Sequence, residues 1–438
     1  MSDAVLTLST AGEPADRSTP RAPLAETTVH APAGERLHAL DAVRGFALLL
    51  GIVFHSTMSF LASPQQMWII VDKSPSTTLT LVFFVSHIFR MTTFFLIAGF
   101  FAHLLFHKRG VRGFIHDRLR RIGLPLVAGW PFMIASLAAC AIWGAWVMNG
   151  GKFPPAPPPD PNAPPLAFPL THLWFLYVLL WFYALALLAR RLLDGIDPNG
   201  RARARLDRIV SAIVRNPLGV LALAAPTALA LLALGAWRPW LGIPTPDGTL
   251  LPNIAAFTAF GGAFAFGWLL HRQARLLDTI EQRWPLHLAL ALGATVACLV
   301  HIGLTPDLAF ASRDSGTAVY ASCYALAVWT WTFAVIGLAL RFLNGYSAVR
   351  RYIADASYWL YLIHMPLVLA LQIALSQLAW HWTIKFALIL AIAFPLMFVT
   401  YHYCVRSTFI GAVLNGRRYP RQLPSHASGA AKMQEGAA

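Results

Sequence analysis

The feature that most constrains this chain is a succession of apolar runs of about twenty residues, separated by short polar or basic connections. A helix of that length matches the ~30 Å hydrocarbon thickness of a bilayer. Within lipid the backbone must satisfy its own hydrogen bonds, so the expected fold class is all-α, a polytopic transmembrane helical bundle. The runs predict about ten spans: 45–62, 79–106, 122–148, 172–189, 217–236, 253–270, 285–303, 316–340, 356–375 and 383–404. The second and third exceed the ~20 residues a span needs, which predicts tilt or extension beyond the membrane. Only 12% of residues are charged, against ~25% in ordinary globular chains. A soluble enzyme is excluded.

The flanking and connecting segments complete the plan. Residues 1–35 are rich in Ala, Pro, Thr and Ser and hold no apolar run, so they read as a disordered tail and not a signal peptide. Residues 36–410 form the transmembrane domain, and 411–438 a second, mostly disordered tail. Lys and Arg are unevenly placed. Six follow the second span, seven the fourth, three each the sixth and eighth, and five the tenth, 24 in all; the opposite loops hold four. Positive charge collects on the cytoplasmic side, which predicts that both termini are cytoplasmic. The formal net charge of +15 is thus a topology signal and an attraction to anionic lipid, not a nucleic-acid signature. A segment with prolines at 154, 155, 157, 158, 159, 161, 164 and 165 reads as a stiff extracytoplasmic arm. Cys140, Cys298, Cys323 and Cys404 stand in apolar segments at unrelated spacings, which predicts neither a metal site nor a disulfide framework.

With no soluble domain appended, any chemistry must be built inside the bundle. Arg44 and His55 are eleven residues apart, which returns them to within about 20° on one helix face and separates them by roughly 16 Å. One face then carries a cation at the water boundary and a base near mid-membrane. Ionisable groups at that depth are costly, so they usually serve function. In the second span, His87 precedes Arg90 by one turn, and Arg90 lies roughly 16 Å in from the opposite side. Such an arginine faces a polar cavity, where it suits a carboxylate, a thioester carbonyl or an oxyanion, or else ties two helices together. Arg118 and Arg121, one turn apart at the cytoplasmic start of span 3, either clamp a phosphate or anchor topology. His172 and Trp174 open span 4 as an interfacial aromatic belt or as the edge of a sugar site. Ser357 and His364, seven residues apart, share a face of span 9. His103, His271 and His301 lie near span ends and read as satisfied interfacial histidines. No G-x-S-x-G elbow, Walker loop or zinc spacing occurs. A transporter using the same buried groups is the rival, and it predicts broken helices and repeated halves.

Four motifs in order carry a resemblance: Arg44 with ten residues before His55; Phe94-Phe-Leu-Ile-Ala-Gly99; Arg118 to Arg121 as R-x-x-R; and Ser357-Tyr-Trp-Leu-Tyr-Leu-Ile-His364. Over nearly all of residues 36–410 the chain resembles the acyltransferase-3 family of integral membrane O-acyltransferases. Leu40-Asp41, His87 with Phe89-Arg90-Met91, and His172-Leu-Trp-Phe-Leu176 are similar to its branch that succinylates osmoregulated periplasmic glucans. Ala98 departs from the serine usual in the second motif. The resemblance implies a bacterial inner-membrane enzyme that takes acyl-CoA (succinyl-CoA or acetyl-CoA) as co-substrate from the cytoplasm. It also implies an extracytoplasmic glycan hydroxyl as acceptor, no bound cofactor, and His55 as the essential histidine with Arg44 as its companion. On this reading Arg118 and Arg121 join Arg44 in holding the donor. Arg90, His87, His172, Trp174, His364 and Ser357 are candidate contacts to the acyl group, oxyanion or acceptor. Direct transfer and an acyl-histidine both fit.

Overall fold

The computed structural model describes residues 33–63, 65–153, 169–248 and 250–419. Residues 1–32 of the expected N-terminal tail, most of the proline-rich arm and residues 420–438 lie outside them. Thirteen α-helices are found among the described residues, with no strand. They are α1 (Ala33–Thr57), α2 (Thr77–Arg118), α3 (Leu124–Met148), α4 (Trp174–Ile196), α5 (Arg201–Arg215), α6 (Val220–Leu232) and α7 (Ile254–Arg272). There follow α8 (Leu276–Gln282), α9 (Trp284–Ile302), α10 (Ser315–Phe342), α11 (Ala348–Ser376), α12 (Trp382–Thr400) and α13 (Phe409–Leu414).

Eight helical stretches among these residues are long and apolar enough to cross a membrane, and nine if the bent pair α5–α6 counts as one. The longest, Thr77–Met148, has 72 residues, about 108 Å at ~1.5 Å per residue, more than three membrane cores. It breaks at Gly110, whose φ of 64° and ψ of −176° belong to a backbone region that only glycine adopts readily. The second and third expected spans are therefore separate crossings. The fifth expected span, 217–236, is helical only over the 13 residues of α6, which meets α5 at a 100° bend. Pro217 after Asn216 stops α5, and Gly235 with Pro239 prevents α6 from running on. The first helix begins at Ala33, twelve residues before the expected span, so Arg44 lies inside α1 and not at its start.

Side-chain oxygens tie off several helix starts. Ser76, Asn253, Asp314 and Ser347 each accept a backbone N–H in the first turn of α2, α7, α10 and α11, which offsets donors left without helical partners. Helix α2 packs along α7, α1 along α11, and α9 along α10. The α2–α7 crossing is unusually close because Gly99 and Gly267 meet there. A Cβ on Gly99 would strike the Phe264 carbonyl, and one on Gly267 the Leu96 carbonyl. The glycine of the Phe94–Gly99 motif is thus a packing residue, which lets two backbones touch. At one end of α13, Arg121 donates through Nε and Nη2 to the Leu414 carbonyl at 3.1 and 2.9 Å.

Candidate active site

The site is built from the ends and bends of four helices. In the last turn of α1, Ser56 Oγ donates to the Ile52 carbonyl and Thr57 Oγ1 to that of Phe54, at 2.8 and 2.7 Å. The final carbonyls of a helix have no partner within it. Here those of His55 and Ser56 accept Gln372 Nε2 of α11 at 3.0 and 3.1 Å. The His55 ring sits edge-on to Phe54, 4.9 Å between centres, and its buried Nδ1 has no hydrogen-bond partner.

From α2 come His87 and Arg90. The Arg90 guanidinium carbon lies 4.1 Å from the centre of the Phe54 ring, a cation–π arrangement. No carboxylate pairs with it among the described residues, and its buried Nε lacks a partner. Gly51 provides the space: a Cβ there would come within 3.1 Å of Arg90 Nη1. From α11 comes His364. Pro366 has no N–H to give the Leu362 carbonyl, and one residue earlier the Tyr361 carbonyl lies 2.6 Å from His364 Nδ1. A ring nitrogen facing a carbonyl carries the proton, so neutral His364 presents Nε2 as a lone pair. That atom is buried and unpartnered. At the start of α4, Thr171 takes a left-handed φ of 51° and the next residue, His172, turns inward with both ring nitrogens unpartnered. Its carbonyl accepts the Tyr361 hydroxyl at 2.7 Å.

These groups line one cavity of about 710 Å³. Ring centres of His55 and His364 are 5.2 Å apart, those of His172 and His364 5.1 Å, and that of His87 lies 5.4 Å from Phe54. The cavity follows one face of α1 through Ala47, Gly51, Phe54 and His55, passes Met58 just beyond the helix end, and reaches the loops that hold Trp68, Arg238 and Thr245. Trp174 lines it too, with its ring stacked on Phe260 at 5.6 Å. Ser357 does not line it: the hydroxyl is buried and donates to the Ala354 carbonyl of its own helix at 2.8 Å.

Arg44, Arg118 and Arg121 converge elsewhere, at the arginine-rich end of the bundle. Arg44 pairs with Asp41 at 3.1 Å and Arg118 with Asp117 at 3.3 Å. Arg121 lies within electrostatic reach of Asp117, Arg118 and Arg44. None of the three arginines lines the cavity, but Ala47, one turn from Arg44, does. His103, a remaining histidine near a span end, has Nδ1 2.7 Å from His271 Nδ1 and Nε2 3.1 Å from His107 Nε2, while His301 stacks on Tyr320. Among the described residues no group of three or more His, Cys, Asp or Glu side chains is arranged to hold a metal ion. The bent α5–α6 pair contributes nothing to the cavity wall. Sequence reasoning missed Gly51, Trp68, Tyr361 and Gln372 as parts of the site. Gly51 and Tyr361 stood inside quoted motifs with no role attached, and Trp68 and Gln372 carry no local pattern.

Comparison with known proteins agrees with this architecture. The acyltransferase-domain family model, of the acyltransferase-3 type, matches residues 37–402. The chain is 25% identical over 346 residues to glucans biosynthesis protein C of Escherichia coli O139:H28 (strain E24377A), covering 76% of this chain and 83% of that protein. It is 24% identical over 340 residues to the proteins of the same name from Escherichia coli O157:H7 and Shigella dysenteriae serotype 1, with the same coverage. No solved structure matches the chain. The chain belongs to the acyltransferase-3 family and is a multi-pass membrane acyltransferase.

Proposed function

We propose that this protein moves a succinyl or acetyl group from cytoplasmic acyl-CoA to a hydroxyl of an extracytoplasmic glycan across the bacterial inner membrane. The names of its relatives support a glucan acceptor, osmoregulated periplasmic glucan on this reading. The carrying observation is the course of the cavity. It begins one turn from Arg44, passes His55 and Arg90, and ends among loops at the other side of the bundle. From Ala47 to His55 is about 12 Å along the helix, a distance that a slender pantetheine arm covers.

In this scheme Arg44, Arg118 and Arg121 hold the CoA phosphates at the cytoplasmic end, and the thioester enters the cavity. His55 acts as general base: it takes the proton as the sugar oxygen attacks the thioester carbonyl. The carbon–sulfur bond then breaks, the thiolate recovers the proton from the imidazolium, and an ester and free CoA remain. Arg90 donates to the developing oxyanion or to a succinyl carboxylate. His364, with its tautomer set by the Tyr361 carbonyl, accepts a hydrogen bond beside His55, and His87, His172 and Trp174 border the reacting groups. Ser357, bonded to its own helix, takes no part.

The test is purified protein with succinyl-CoA or acetyl-CoA and a gluco-oligosaccharide, read by free-thiol release and by the mass gained by the sugar. Acceptor-dependent thiol release with an acylated product supports the scheme. Absence of both, with either donor, removes it.

A further inference from the structure

The segment between α1 and α2 holds a side chain that the scheme above leaves unused. Trp68 lines the cavity, and its indole plane lies 28° from the plane of His55 with ring centres 6.3 Å apart. Its orientation is fixed by a buried link. The indole Nε1–H donates to Gln372 Oε1 at 3.0 Å, and the Nε2 of the same amide donates to the carbonyls of His55 and Ser56. Gln372 is 1% exposed and has both ends occupied. One amide therefore sets the indole and the end of α1 in register. The polypeptide around Trp68 is held independently. Gln66 Nε2 donates to the Trp68 carbonyl at 3.1 Å, Asp72 N–H to the Ser59 carbonyl at 2.9 Å, and Ser76 N–H to the Phe60 carbonyl at 2.8 Å.

We propose that Trp68 is the acceptor platform, the surface on which a sugar ring of the glycan packs while one of its hydroxyls meets His55. This rests on the glycan reading above. A pyranose ring offers apolar C–H faces and a rim of hydroxyls. A fixed aromatic ring suits the first, and an imidazole beside it whose Nδ1 has no partner among the described residues suits the second. Trp68 sits at the loop end of the cavity, whose lining also includes Arg238 and Thr245, so it meets the acceptor and not the donor's phosphates. Gln372 acts through Trp68 and His55, as the brace that keeps platform and base aligned.

The test is calorimetric titration of the full-length protein in detergent, with a gluco-oligosaccharide and separately with CoA. Trp68→Ala is expected to weaken the oligosaccharide about tenfold and leave CoA within about twofold. Trp68→Phe keeps an aromatic face but has no N–H for Gln372, and is expected to lose only about threefold. Unchanged oligosaccharide affinity in Trp68→Ala overturns the platform while leaving the glycan reading intact. Equal loss of both ligands also overturns it, by showing general damage. Wild-type protein that binds CoA but no oligosaccharide overturns the glycan reading, and the platform with it.

Discussion

At the scale of single residues, the site combines groups that carry protons with groups that make room. Replacing His55 by alanine is expected to lower kcat by about 10²–10⁴-fold with an unchanged melting temperature, because its buried Nδ1 has no hydrogen-bond partner among the described residues. A parallel drop in melting temperature would instead mark His55 as a packing residue. Arg90 is a cation without a carboxylate partner among the described residues, so it is free to read charge on the acyl group. Arg90→Gln should reduce kcat/KM for succinyl-CoA about tenfold more than for acetyl-CoA; an equal loss for both donors would assign Arg90 to the shared carbonyl. Gly51→Ala acts in the same direction but more weakly. Its new methyl would crowd the far end of the Arg90 side chain at 3.1 Å, and the guanidinium would have to yield by a few tenths of an ångström. The histidines and Arg90 were legible in the sequence because each stands in a helical run where an ionisable group is conspicuous. Gly51 was not, since its meaning lies in a side chain on another helix.

At the scale of elements, two devices hold the helices that carry the site. The first is the glycine contact between α2 and α7. Gly99→Ala would press a methyl onto the Phe264 carbonyl and should cost about 1–3 kcal/mol of stability, as overpacked cores do, visible as a lower melting temperature with normal membrane insertion. The second is a buried ion pair. Lys385 of α12, fully buried, reaches Asp72 at 2.7 Å, and Asp72 Oδ1 also accepts the Ser74 N–H at 2.8 Å. Burial raises the Asp72 carboxyl above its ordinary range, and the Lys385 and Ser74 hydrogen bonds pull it back. Lys385→Met removes the pull from the ammonium and leaves a buried carboxylate, which should cost about 3–5 kcal/mol. The sign of the pH dependence follows from linkage. A carboxyl whose folded pKa is raised favours the folded state at low pH and loses that contribution as pH rises through the raised value. The deficit of Lys385→Met should therefore be largest at neutral pH and shrink as pH falls towards about 4. A deficit that stays constant would show that the pair matters only through packing. Neither device was legible as such. Gly99 lay inside a quoted motif without a reason attached, and Asp72 and Lys385 are separated by more than 300 residues. Periodicity finds the face of one helix, not the partner it will meet.

At the scale of the molecule, the arginine-rich end and the cavity that starts one turn from Arg44 connect the two sides only if the chain sits in the membrane as its charges predict. The apolar runs specified the helices well, since length and hydropathy alone demand them. They said less about where the chain turns. Gly110 divides one 72-residue helical stretch into two crossings, and α6 is too short to cross without α5. Orientation depends on the basic loops, and it decides whether donor and acceptor approach from opposite sides. Asn199, in the connection from α4 to α5, and Lys152, after α3, are both exposed and lie on opposite sides in this scheme. Each can be replaced by cysteine in a variant whose four native cysteines are alanine. In intact spheroplasts a membrane-impermeant maleimide should label Lys152→Cys and spare Asn199→Cys, and after permeabilisation it should label both. The reverse pattern would put the arginine cluster outside, beyond the reach of cytoplasmic acyl-CoA. The donor and acceptor assignments would then have to be exchanged or abandoned, even with every distance around His55 unchanged.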